Sequence, residues 1–337
     1  MTARKRYTRP RKVVAIYMGG SVHRTAVSPP ASPRPTTDHV RSKVKAALGT
    51  ESTVEVGFFG GGLPGRELLE ACDGHAIRIS CAPADLFEVK LEEMFDLGVR
   101  TIELDALTLN DRILHRVRSQ HSSRQVHNLV RDIKAIGFRV GMVLSTGLPG
   151  SNREVAMGDV QQIGQMFAAG GGPDFARIHP TLAWEGSDLA AWVLAKRWKP
   201  MALDETIELV ATMMEELGVL GVPVIRVGLQ PGQDLPNKAV AGPFHPDLRG
   251  RVEVLRFRRK MCDLVASMAE NARIELRVHP KDLSWAKGTS NENSRWLRAS
   301  FGFAEVQIVA DASIKRCDVG LVKTKQPSLR HPVISSG

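Results

Sequence analysis

The chain is short of cysteine, and the little it has is not arranged to hold a metal. Cys72, Cys81, Cys262 and Cys317 lie far apart, with no ligand spacing and no paired pattern. That argues against a disulfide framework and against a Cys-x-x-Cys zinc site. The four read as small buried hydrophobes of a reducing compartment, so the cytoplasm is the expected location. No apolar run approaches a membrane span, which excludes a transmembrane helix and gives the expectation of no membrane partner. The basic stretch 1–12 is followed by only a short apolar segment, Val13–Met18, too brief for a signal-peptide core. H-E-x-x-H, G-x-S-x-G and the P-loop are all missing, so the metal-hydrolase, serine-hydrolase and nucleotide-triphosphatase patterns are not available.

What is present is ordinary in bulk: 337 residues, 43% hydrophobic and 24% charged, enough for one large domain and a small one. The formal charge is +10. Part of the excess sits in residues 1–12 and in Lys315, Arg316, Lys323, Lys325 and Arg330, both read as flexible basic tails. Such a balance permits attraction to RNA or other anions without specifying a function.

Pattern then alternates. Strands are expected at 13–17, 54–59, 77–81, 101–104, 139–145, 175–180 and 222–229. Between them come helices at 38–48, 84–97, 110–136, 154–169 and 204–217. Strands and helices in alternation imply a parallel sheet with helical cover, whose ligands meet the carboxyl ends of the strands. The polar or glycine-rich turns at 18–21, 60–65, 146–150 and 180–187 all follow strands and should converge there. Gly60-Gly61-Gly62 after the second strand is either a tight turn or a place where backbone approaches a ligand. His115, His121 and His127 recur every six residues, which does not put them on one helix face, and they read as solvated. From 271 the character changes to strand, helix, polar turn, helix, strand. The turn Gly288-Thr-Ser-Asn291 resembles the GXXG loop of a KH module, with asparagine in the last place; the alternative is a structural cap.

Several phrases occur in an order that goes beyond pattern: Phe58-Phe-Gly-Gly-Gly-Leu-Pro64, Gly98-Val-Arg-Thr-Ile-Glu-Leu104, Gly147-Leu-Pro-Gly150, Asp174-Phe-Ala-Arg-Ile-His-Pro-Thr-Leu182 with Glu185-Gly186, Ile225-Arg-Val-Gly-Leu-Gln-Pro231 and Ala241-Gly-Pro-Phe-His-Pro246. Together they resemble the elongator-type branch of the radical SAM superfamily, in its shorter bacterial form without an acetyltransferase domain. The resemblance implies an α/β fold, a partial (β/α)6 radical-SAM-like barrel over 13–270 with a small C-terminal α+β unit over 271–322, flanked by tails 1–12 and 323–337. Arg177, His179, Glu185, Arg226, Gln230 and His245 are the polar groups it would place at the barrel mouth, where they either pair with one another or meet a ligand.

The departures fall on the chemistry. The family's cluster motif, approximately G-C-P-H-R-C-x-F-C, reads here Gly20-Ser-Val-His-Arg-Thr-Ala-Val-Ser28. Ser21, Thr25 and Ser28 keep the x3, x2 spacing, but hydroxyls are hard, weak ligands where a [4Fe–4S] cluster needs thiolates. Cys72 and Cys81 fall on different elements and do not replace them. The family's Glu-Leu-Gly-Val-Gln-Ser after the fourth strand has become Glu103-Leu-Asp-Ala-Leu-Thr108, in the region where the polar groups of SAM would lie. The expectation is a catalytically degenerate member with no cluster, acting by binding as partner or regulator of another protein or of an RNA-associated complex. SAM binding is left open but weakened. Two alternatives stand: a non-radical enzyme holding a SAM- or nucleoside-like molecule in the barrel mouth, and an RNA-binding protein working through its tails and C-terminal unit.

Overall fold

The computed structural model describes residues 12–20, 23–29, 31, 33–49, 53–228 and 238–323. Six strands, β1 (Lys12–Tyr17), β2 (Val54–Phe59), β3 (Ala76–Cys81), β4 (Val99–Leu107), β5 (Arg139–Thr146) and β6 (Phe175–Pro180), lie side by side in chain order. After a two-residue strand β7 (Ala183–Trp184), β8 (Val224–Val227) adds to β6 as the seventh strand. Every neighbouring pair is parallel. The fold is the α/β half-barrel expected, with one strand more than a (β/α)6 count.

The period of two divides the sheet chemically. Facing the helices are Val56 and Phe58, Ile77 and Ile79, Ile102 and Leu104, Val140, Met142 and Leu144, and Ala176 and Ile178, all buried. The alternate positions carry Glu55, Arg78, Glu103, Asp105 and Arg177 on the other face. A sheet covered on both sides explains why all six residues of β2 are buried.

The connecting helices are α1 (Thr37–Leu48), α2 (Arg66–Glu70), α3 (Leu91–Asp96), α4 (Asp111–Arg116), α5 (Ser123–Ile136), α6 (Arg153–Ala168), α7 (Asp188–Leu194) and α8 (Leu203–Val219). The single helix expected over 110–136 is two. Arg118 takes a left-handed φ of 60°, and the chain restarts at Ser122, whose side chain caps Gln125 in a reciprocal capping box. Helix α5 then buries Val126, Leu129, Val130 and Ile133 and ends at Gly137, φ 114°, the left-handed stop that glycine supplies. The helix expected at 84–97 is likewise a 3-10 turn, Pro83–Leu86, followed by α3.

The chain divides after Pro246, not at 270. Helix α9 (Leu248–Val265) belongs to the smaller unit, because its Phe257, Met261 and Val265 pack with Ile274, Leu276, Val278, Leu297, Val306 and Ile308. In that unit β10 (Arg273–Val278) pairs parallel with β11 (Glu305–Ala310) and antiparallel with β12 (Val319–Lys323), with α10 (Leu283–Lys287) and α11 (Glu292–Phe301) between. Lys12 and Lys323, assigned to tails by the sequence, are the first residue of β1 and the last of β12. In the turn at 288–291 a Cβ on Gly288, φ +67°, would meet Glu292 Cγ at 2.5 Å, so this glycine has a structural reason of its own. A short pair, β7 with β9 (Ala239–Ala241), runs antiparallel beside the half-barrel. No helix of the described residues is long and apolar enough to cross a membrane.

Candidate functional site

Across the polar face of the sheet runs a chain of buried charges. Arg78 on β3 donates through Nη2 to Glu55 Oε2 of β2 at 2.7 Å and through Nη1 to Glu103 Oε1 of β4 at 2.8 Å. The second oxygen of Glu103 accepts Nη1 of Arg177 on β6 at 2.5 Å. All four side chains are at most 4% exposed. Burial opposes the charge of Glu103, yet the two guanidiniums beside it hold its carboxyl below the usual range. Buried charges persist only when paired and hydrogen-bonded in this way. Gly141 makes room for the chain: a Cβ there would meet the Phe175 ring at 2.5 Å and Glu103 Cγ at 3.0 Å.

Arg177 also donates to Nε2 of His179 at 3.3 Å. A guanidinium can only donate, so Nε2 accepts and the imidazole proton sits on Nδ1. Burial, then Arg177 and Arg226, push the His179 pKa well below its ordinary value, which keeps the ring neutral. This end of the charge chain opens into a cavity of about 200 Å³. Its wall takes residues from six successive strands, Tyr17, Phe59, Ser80, Asp105, Val143 and Arg177 among them, and so many strands reach one cavity only because the sheet curves around it. The loop after β1 forms the rim with Gly20 and residues 23–25 and 27–29, and Gly60 and Gly61 approach from the loop after β2. The strand ends that parallel folds use for ligands are therefore assembled into one site.

The cavity wall contains a bulge that sequence reasoning did not find. The register of β4 against β5 slips between Asp105 and Leu107, and both residues line the pocket. Leu107 takes φ 60° while Thr108 N–H closes on Ala106 O at 2.6 Å, a tight three-residue turn that is costly for a residue with a bulky side chain. Two buried groups hold it. His121 Nε2–H donates to the Ala106 carbonyl at 3.1 Å and its Nδ1 accepts from Ser119 Oγ at 2.9 Å. Asp159 of α6 accepts Leu109 N–H and the Thr108 hydroxyl, each at 2.8 Å. Bulges commonly re-aim side chains at sites; here Asp105 and Leu107 both reach the cavity. Burial raises the Asp105 pKa to about 6, with Arg177 lowering it and Glu103 and Asp85 raising it.

Of the residues singled out from sequence, Arg177, His179, Gly60 and Gly61 line the cavity, and so do Thr25 and Ser28. Gly62 does not, although its φ of 81°, like 91° and 81° at Gly60 and Gly61, requires glycine for the backbone alone. Glu185 is exposed and joins the strand pair through its backbone, donating to Lys238 O. Arg226 and His245 are half-buried outside the lining, because Arg226 lies one strand beyond Arg177 and His245 follows β9. Ser21 and Gln230 lie outside the described residues. His121, read as solvated, is buried and lines the pocket; His115 is exposed as expected. Nothing in the sequence pattern distinguishes His121, whose partners are the loop Ser119 and a strand carbonyl.

Of the three cluster positions, the two among the described residues, Thr25 and Ser28, do not fit a cluster. Thr25 Oγ1 and Ser28 Oγ are hydrogen-bonded at 3.2 Å, and Ser28 Oγ accepts the Thr25 amide at 2.9 Å. Two ligands of different irons are held apart by the cluster core, and they are thiolates. Elsewhere in this unit, Cys72 donates its thiol to Leu68 O at 3.3 Å and burial pushes its pKa to about 12; burial likewise raises Cys81. Neither lines the cavity.

A parallel half-barrel with its cavity at the strand ends and the loop after β1 on the rim defines the radical SAM fold class. The chain belongs to the radical SAM superfamily: the superfamily's model matches residues 24–161 and that of the Radical SAM C-terminal domain matches 173–279. It is homologous to the tRNA uridine(34) acetyltransferases. The protein of that name from Methanocaldococcus jannaschii is 27% identical over 137 residues, 40% of this chain and 25% of that protein. The one from Dehalococcoides mccartyi is 24% identical over 178 residues, 52% of this chain and 37% of that protein. The archaeal Methanocaldococcus infernus Elp3 with an N-terminal deletion shares the fold at a TM-score of 0.58 and 19% identity, over 76% of this chain and 63% of that one. These alignments span well under half the length of the curated relatives.

Proposed function

We propose that this chain is a superfamily member that has left cluster chemistry and acts by binding, as partner or regulator of another protein. The observation that carries the reading is the hydrogen bond between Thr25 and Ser28, set against a half-barrel whose buried charge chain and cavity are intact. Hydroxyls engaged with each other are poor replacements for thiolates, and loss of the cluster removes the means of cleaving SAM reductively. Iron and sulfide per chain after anaerobic reconstitution test it directly. The expected result is no stoichiometric metal; about four irons and four sulfides would overturn the reading and return radical catalysis to first place.

The relatives' names direct the search for a partner toward tRNA modification, and the basic balance of the chain favours an RNA-associated complex. Contact through the tails predicts affinity that falls steeply with salt, which is read from binding isotherms at several ionic strengths with and without residues 1–11. A second reading, a non-radical enzyme, draws support from Asp105 and His179 in the cavity, one acceptor and one neutral donor.

A further inference from the structure

Among the described residues, the large apolar side chains most open to solvent are Leu194, 85% exposed, and Val219, 84% exposed. Their surroundings differ in sign. Val219 ends α8 after Glu215 and Glu216. Leu194 ends α7, and no acidic residue occurs between Asp188 and Asp204, whereas Lys196, Arg197 and Lys199 do. These three are exposed and make no ion pair among the described residues.

Helix α7 closes with a Schellman motif. Arg197 N–H donates to Trp192 O at 2.8 Å and Lys196 N–H to Val193 O at 3.0 Å. Lys196 holds the left-handed position, φ 55°, where glycine is usual. The motif commonly seals itself with an apolar contact between the residue after the left-handed one and the last helical turn. Here that residue is Arg197, and its guanidinium lies over the Trp192 ring at 5.2 Å. Arg118 lies over the same ring at 5.9 Å and donates to Asp188 at 2.8 Å. Leu194 is left outside the seal. The corner is also tied to the rim of the half-barrel. Ala26 N–H donates to Val117 O at 2.8 Å and Leu189 N–H to Ala26 O at 3.2 Å. The loop carrying Thr25 and Ser28 is thus stitched to the residue before Arg118 on one side and to the residue after Asp188 on the other.

Charge and shape together select the occupant. Trp and Arg are the residues that carry most protein–protein binding energy, and a guanidinium already held in place loses less freedom on receiving a carboxylate. A second copy of this chain, itself at +10, would bring like charge to the patch. RNA uses open aromatic faces for its bases, but the Trp192 ring is engaged by two guanidiniums, and bare Leu194 offers a base nothing. An anionic bilayer needs more apolar depth than one leucine, since even a single acyl chain binds only marginally.

Resting on the reading that this chain works by binding another protein, we propose that the corner of Trp192, Leu194, Lys196, Arg197 and Arg118 is its docking surface. The partner presents an acidic segment with an aliphatic side chain that covers Leu194, and is seated beside the loop at the cluster position.

The experiment uses the full chain and four defined probes: a fluorescent peptide with a leucine pair between runs of aspartate and glutamate, the same peptide with serines for the leucines, oligouridylate, and phosphatidylserine vesicles. Affinities are read by polarisation and by vesicle sedimentation at one salt concentration. The leucine peptide is expected to bind at least about tenfold tighter than the serine peptide, and this margin is expected to vanish in Leu194→Ser. Affinity for the leucine peptide should fall about tenfold in the double variant Lys196→Glu/Arg197→Glu, while Val219→Ser keeps both properties. Leu194 is almost bare, so its substitution leaves the fold intact, which a melting curve checks. Iron is measured in the same sample: a bound cluster would sink the earlier reading whatever the peptides do. An iron-free chain with no leucine preference, one that loses it equally in Val219→Ser, or one indifferent to the charge reversal would overturn this proposal alone. Tighter binding of oligouridylate or vesicles that Leu194→Ser abolishes would overturn it as well, and would name nucleic acid or lipid as the occupant.

Discussion

Thr25 and Ser28 form a closed pair: the two hydroxyl oxygens are 3.2 Å apart, and Ser28 N–H returns to the Thr25 carbonyl at 3.1 Å. The turn at the cluster position is satisfied from within. Restoring thiols is therefore an informative test. The variant Ser21→Cys/Thr25→Cys/Ser28→Cys is expected to take up about four irons per chain on anaerobic reconstitution, while the unaltered chain takes up none. A variant that stays iron-free would show that the ligands were not the only thing lost from this loop.

Arg78 stands between two fully buried carboxylates, so its removal leaves both Glu55 and Glu103 short of a partner. Arg78→Leu is expected to lower stability by about 3–5 kcal/mol, read from the urea midpoint. Arg78→Lys should recover only part of this, because a single ammonium cannot reproduce the forked contact to two carboxylates. A loss below about 1 kcal/mol in Arg78→Leu would mean the chain of charges is not coupled as its geometry indicates.

Asp105 should declare itself in the pH dependence of stability. Its pKa in the fold is raised from 3.8 to about 6, so the native state holds the proton more tightly than the unfolded chain does. Its contribution to stability is present below 3.8, is lost as pH rises through about 6, and stays lost above. Asp105→Asn removes that loss. The variant is expected to be more stable than wild type by about 1–2 kcal/mol at pH 7.5, the partial exposure of Asp105 to the cavity reducing the full linkage value. The difference should close as pH falls toward 4, measured by melting curves across that range. A constant difference at every pH would assign the effect to packing.

Gly141 carries the space in which Phe175 and Glu103 meet. Gly141→Ala forces the Phe175 ring, 2.5 Å from the new Cβ, to move, and with it the ring face over which Arg78 lies at 5.4 Å. A loss of about 1–3 kcal/mol is expected, measured by denaturant unfolding. An unchanged midpoint would show that the two side chains shift freely and that the fit around Glu103 is loose.

Much of the architecture is legible in the residues themselves. Alternating apolar runs, the glycine turns after strands and the ordered family phrases are local signals, and local sequence determines the strands, the turns and the three hydroxyls in place of thiols. The division of the two units at 246 is not local: α9 reads as an unremarkable basic helix until Phe257, Met261 and Val265 find the sheet of β10 to β12. The charge chain is also invisible in the sequence, because Arg78 meets Glu55 across 23 positions, Glu103 across 25, and Arg177 meets Glu103 across 74. Strand register decides those pairings. The same holds for Asp105 and His121. One sits in a strand whose pattern gives no hint of a bulge, the other in what looks like a solvated helix, and only the turn at Ala106 to Thr108 brings them to one cavity wall. The sequence alone determined that this chain has the fold and lacks the thiols. Tertiary packing decided which polar groups are spent on one another and which one, Asp105, is left lining the cavity.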